Sequence, residues 1–156
     1  MTRQASVGGL VDAALRAGHD VCFEAGGRSM SPLVRSGDVI HLRPLRGQQP
    51  HEGVAGLDPG LRVGCLVAVH ADDGHLVVHR VVSMRDGVLL VRGDSNPCAD
   101  GRFAEEQVLG IATKVERGGR AVWFGDGTLG PVIALAVRSG LVSRAVRALR
   151  AVRGGR

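Results

Sequence analysis

At 156 residues, the chain is long enough for one domain with a short appendage. Its 24 glycines and 3% aromatic content, with Val, Leu and Ala carrying the apolar load, predict short strands and tight turns over an aromatic-poor core. The net charge is +5, but six arginines (Arg138, Arg144, Arg147, Arg150, Arg153 and Arg156) and no acid lie beyond Pro131, so the rest of the chain is nearly balanced. That body carries no basic footprint for nucleic acid, and none is expected as a partner.

Cys22, Cys65 and Cys98 are odd in number and follow no metal or disulfide spacing, which predicts free thiols and a cytoplasmic, reducing compartment. No basic, apolar, cleavable stretch opens the chain, so no secretory signal is expected. The longest nearly uncharged run, residues 121–137, holds Asp126, Pro131 and three glycines and is too broken for a membrane span.

In chain order, Ser6 caps a predicted helix with apolar positions Leu10, Val11, Ala14 and Leu15, ended by Gly18. Residues 21–24 read as a strand running into Gly26 and Gly27, and residues 39–43 as a second. Residues 45–61 read as a surface loop. Residues 65–70 and 75–82 form a predicted hairpin about Ala71-Asp72-Asp73-Gly74. Residues 88–92 and 108–115 are further strands separated by a polar loop, and 120–124 follows a turn at Arg117-Gly118-Gly119. At 100° per residue, Leu141, Val142, Ala145, Val146, Leu149 and Val152 share one face of a final helix, with Arg144, Arg147 and Arg150 on the other. Such a helix either packs on the body or a partner, or lies peripherally on the inner, anionic face of a membrane. The expected organisation is a mainly β domain over residues 1–127, with one N-terminal helix, and a basic amphipathic helix over 128–156.

Three separated segments carry residue types suited to nucleophilic catalysis. They are Gly26-Gly27-Arg28-Ser29-Met30-Ser31-Pro32 with Gly37-Asp38, then Val77-Val78-His79-Arg80-Val81-Val82, and then Gly93-Asp94-Ser95-Asn96 followed by Asp100. A serine hydroxyl is a weak nucleophile until an oriented base takes its proton. Each residue alone has a plain reading: Ser29 as a turn serine, His79 as a strand histidine, Asp94 and Asp100 as loop acids.

In this order and spacing, over roughly residues 21–115, the segments resemble the signal peptidase and LexA-like serine peptidase superfamily. The resemblance implies a β-ribbon and partial-barrel fold. It also implies Ser29 as nucleophile and, as in the archaeal and endoplasmic-reticulum type branch, His79 as general base where other members use lysine. The chain's single lysine, Lys114, falls outside the base segment. The same resemblance gives Asp100 the orienting role and Asp94 a buttressing one, with exchange of the two left open. Gly27, Met30 and Ser31 are expected to line the substrate or oxyanion site. An unperturbed imidazole titrates near about 6.5, suited to such a base.

The expected activity is cleavage of an extended peptide, leader or propeptide through an acyl-enzyme. Two departures stand out: Gly64-Cys65 where members often have Gly-Asp, and no hydrophobic anchoring helix at the N-terminus. A self-cleaving regulator and a non-catalytic binding module are the alternatives. Only some 20 residues precede the first strand, too few for a DNA-binding unit. His70, His75 and His79 lack structural-zinc spacing, and neither metal nor cofactor is expected.

Overall fold

The computed structural model describes residues 7–45 and 58–154. The Ser6 cap and residues 46–57 of the expected loop lie outside the described residues. Helix α1 (Val7–Arg16) is followed by strands β1 (Val21–Glu24), β2 (Val39–Pro44), β3 (Leu66–His70), β4 (Leu76–Arg85), β5 (Val88–Arg92), β6 (Gly101–Ala104), β7 (Gly110–Arg117) and β8 (Arg120–Val122). Helices α2 (Gly130–Arg138) and α3 (Leu141–Gly154) close the chain. The protein is mainly β, an antiparallel half-barrel with strand order β1-β2-β7-β3-β4-β5-β6 and β8 paired to β7.

Alternation along the strands builds a core on each side of the sheet. Leu66 and Ala68 of β3 join Leu15, Ile40, Leu42, Leu109, Val115 and Phe124 in one cluster. Val67 and Val69 join Val81, Leu89, Val91, Val108 and Ile111 in the other. A strand covered on both faces has no polar side, which is why Leu-Val-Ala-Val reads as an unbroken apolar run. The turn at Gly118 and Gly119 has positive φ at both residues (56° and 76°) and joins paired Arg117 and Arg120. That is the two-residue hairpin geometry whose twist matches the flanking strands.

Three expectations are corrected. The polar loop after β5 contains a strand, β6, paired along β5 from Val88↔Ala104 to Val91↔Gly101. Only Phe103 in it is buried, so four residues offer no alternation to read. The expected strand 120–124 ends at Val122, because the Phe124 carbonyl turns inward to a buried arginine. The C-terminal segment is two helices, not one, bent by 69° about Ser139 and Gly140, the latter at φ 78°. Ala134 and Val137 of α2 are fully buried against the body, where α2 packs on β4.

The arginine is Arg80, on β4, with no exposed surface. Its Nε and Nη2 donate to the two oxygens of Asp94, each at 2.8 Å. Nη1 donates to the carbonyls of Gly64 (2.8 Å) and Gly125 (2.9 Å), and Nη2 also to that of Phe124 (2.9 Å). All five N–H donors of the guanidinium are thereby used. The loop before β3, the loop after β5 and the approach to α2 are all tied to one strand position. Gly64 itself has φ 100° and sits against the Gly130 backbone, where a Cβ would clash.

Removing the carboxylate leaves a buried guanidinium unpaired, which costs about 3–5 kcal/mol. Asp94→Ala is expected to lower the urea midpoint accordingly, measured by tryptophan fluorescence of Trp123 and by circular dichroism.

Candidate active site

The loop between β1 and β2 is closed at its base by Ala25 N–H donating to the Asp38 carbonyl (2.7 Å) and Gly37 N–H to the Ala25 carbonyl (2.9 Å). The Asp38 carboxylate, buried, accepts from the Arg35 amide (2.8 Å) and from Nε and Nη2 of Arg117 (2.8 and 2.7 Å). Inside the loop, Val34 N–H donates to the Met30 carbonyl in a helical turn, and the buried Met30 and Val34 side chains peg that turn into the first core. Ser29, one residue before Met30, is left facing the cleft. Gly27 needs its positive φ of 77° to deliver the chain into this turn.

A second loop secures the first. The Ser95 amide donates to the Ser29 carbonyl (2.8 Å), and its hydroxyl donates to the Arg28 carbonyl (2.6 Å). A Cβ at Gly93 would press on the Ser29 carbonyl and the Asn96 side chain, so glycine permits the two loops to touch. Arg92 braces the same loop, donating from Nε and Nη2 to the Asn96 carbonyl (2.9 and 2.7 Å).

His79 follows Val78 on β4 opposite Val67 of β3 and is 5% exposed. Its Nε2 lies 2.7 Å from Ser29 Oγ and its Nδ1 2.6 Å from Asp100 Oδ2. Asp100 leads into β6, its amide donating to the Val91 carbonyl (2.8 Å), and Asn96 Nδ2 donates to its other oxygen at 3.4 Å. A carboxylate only accepts, so in the neutral imidazole Nδ1–H is the donor to Asp100 and Nε2 is left to accept from the serine hydroxyl. Hydroxyl, imidazole and carboxylate thus stand in series, each within hydrogen-bond reach of the next.

Of the four residues expected at the site, three meet and one does not. Asp94 is held by Arg80, one strand position from His79 and on the opposite side of the strand, so of the two aspartates it is Asp100 that lies against the imidazole. Ser31 is also displaced from its expected place: its amide donates to the Arg28 carbonyl (3.2 Å), and its side chain lines a groove beside α3. Gly27 and Met30 do line the cleft at Ser29, a cavity of about 240 Å³ walled by Phe23, Ile40, Leu76 and Val78. The amides of Gly27, Ser29 and Met30 donate to nothing among the described residues.

Arg80, Ser95, Asn96 and Asp38 stood in the quoted motifs without an assigned task. An arginine within an apolar strand and an aspartate after glycine were the available signals. His70 and His75 stay at the hairpin turn, bonded to the Gly74 carbonyl and Asp73. Cys98 is exposed and Cys65 buried, and all three cysteines are free. Among the described residues, no group of three or more His, Cys, Asp or Glu is placed to hold a metal ion.

The hydrogen bonds from Arg117 hold the Asp38 carboxyl below the ordinary value near 3.8. A depressed folded pKa contributes stability that is complete above the unfolded value and lost as pH falls through the folded one. The urea midpoint of the wild type is therefore expected to fall more steeply below about pH 4 than that of Asp38→Asn. Comparison of the chain with protein-family models, curated proteins and solved structures gives no match.

Proposed function

We propose that the protein is a serine endopeptidase of signal-peptidase-like type, acting on an extended peptide such as a leader or propeptide. The observation that carries this reading is the unbroken hydrogen-bonded series Ser29–His79–Asp100 at the wall of an apolar cleft.

In this reading, Ser29 Oγ attacks the scissile carbonyl carbon while His79 Nε2 takes the hydroxyl proton. Asp100 stabilises the imidazolium and holds its tautomer. The unengaged amides of the Gly27–Met30 turn are the donors at hand for the oxyanion. Collapse of the tetrahedral species breaks the C–N bond, and the proton on Nε2 passes to the leaving amine. Water, deprotonated by His79, then attacks the Ser29 ester, releasing the acid and restoring the hydroxyl.

The sheet supports an extended substrate. Residues 76–79 of β4 pair with β3 on one side, while β5 pairs only with residues 80–85. Among the described residues, the second edge of 76–79 is therefore open, and Leu76, Val77 and Val78 line the cleft. An added strand there would carry its scissile bond past Ser29. The small cleft favours small side chains next to the cut.

The test is cleavage of a peptide library rich in Ala, Gly and Ser, read by mass spectrometry. Wild-type protein is expected to cut. Ser29→Ala is expected to lose about 10⁶-fold in kcat and Asp100→Asn about 10⁴-fold, both with unchanged circular dichroism. Lys114→Ala, which removes the lone lysine, is expected to keep full activity. Cleavage surviving in Ser29→Ala, or a wild type inert across the library, contradicts the reading.

A further inference from the structure

The C-terminal helix pair exposes apolar surface out of proportion to its length. Among the described residues, ten large apolar side chains are exposed, and seven of them lie from Trp123 onward. Helix α3 turns Val142, Ser143 and Val146 towards the body. Leu141, Ala145, Leu149 and Val152 then fall within about 80° of arc on the face left outward. Leu149 is 62% and Val152 75% exposed. On α2, Val132 and Leu135 are 60% and 66% exposed, opposite the buried Ala134 and Val137. No acid follows Asp126, while Arg138, Arg144 and Arg150 stand exposed beside these rows.

We infer that this elbow is a docking surface for an anionic lipid bilayer, on which α2 and α3 lie flat. Apolar rows flanked by arginines, without a compensating acid, complement an interface with acyl chains below and phosphates around. The packing opposes a spanning arrangement. No single described helix is long and apolar enough to cross. A span through the pair would place α2 itself in the hydrocarbon, away from the body against which Ala134 and Val137 are buried. At about 1.5 Å per residue, α3 also falls short of a hydrocarbon core of about 30 Å. A second copy of this chain is the weaker occupant, because it would bring the same positive charge to the face.

The surface sits beside the cleft. Arg28, Ser31, Arg35, Val146, Leu149 and Arg150 line a groove between the Ser29 loop and α3, and Arg35 also lines the cleft. A docked molecule holds its cleft at the bilayer, favouring membrane-proximal segments; only this consequence rests on the peptidase reading.

The test is flotation with phosphatidylcholine vesicles, with and without phosphatidylglycerol. Full-length wild type is expected to bind the anionic vesicles at least tenfold more tightly, since each arginine near such a surface adds roughly fivefold, and to release in high salt. Leu149→Asp/Val152→Asp and Val132→Asp/Leu135→Asp are each expected to reduce binding at least tenfold at unchanged thermal stability, as all four residues are exposed. Ser29→Ala is expected to bind as wild type, separating docking from catalysis. Equal or absent binding to both vesicles overturns the inference. So does light scattering that shows a dimer which Leu149→Asp/Val152→Asp dissociates.

Discussion

The structure turns on a charge that water cannot reach. Arg80 lies wholly inside the protein, and its five donors find oxygens on three other segments of the chain, at Gly64, Asp94 and Phe124-Gly125. A buried guanidinium tolerates no loose partner, because each unmade bond leaves desolvated charge. The segments that meet it are therefore fixed relative to β4. His79 is the next residue along that strand, so the same constraint that satisfies Arg80 sets where the imidazole stands. Asp94 holds the start of the loop that carries Ser95 to the Ser29 carbonyl and Asp100 to the imidazole. Stability and site geometry are thus one network, and the two aspartates divide it: one secures the arginine, the other the histidine.

Much of the fold was legible because its signals are local. The hairpin about residues 71–74 announces itself through Asp-Asp-Gly between apolar runs, and its turn closes with Gly74 N–H on the Ala71 carbonyl. Gly118-Gly119 does the same for β7 and β8. What was illegible depends on distant partners. Residues 101–104 are a strand only because β5 offers an edge, and Phe124 leaves its strand only because Arg80 needs its carbonyl. The break at Gly140 was masked by apolar spacing that continues across it on both sides.

The site divides in the same way. Ser29, His79 and Asp100 could be nominated because three motifs in one order resemble a known peptidase superfamily; each residue alone had a plain structural reading. The resemblance favoured Asp100 over Asp94 but left their exchange open, because which side of β4 each carboxylate reaches is a matter of strand pairing and not of motif order. Ser31 could not be assigned from adjacency to Ser29, because the helical turn at Met30 rotates it towards α3. Ser95 and Asn96 act through backbone carbonyls and a neighbouring carboxylate, contacts that leave little trace in composition.

The account stands on one imidazole held between Ser29 and Asp100. Proton NMR of nitrogen-15 histidine-labelled protein tests this directly, since a short bond between Nδ1–H and a carboxylate moves that proton far downfield of the amide envelope. The expected result is one such resonance, coupled to a ring nitrogen, absent in His79→Gln and Asp100→Asn and retained in Ser29→Ala. A wild type without it at low temperature, or a resonance that survives in Asp100→Asn, contradicts the account.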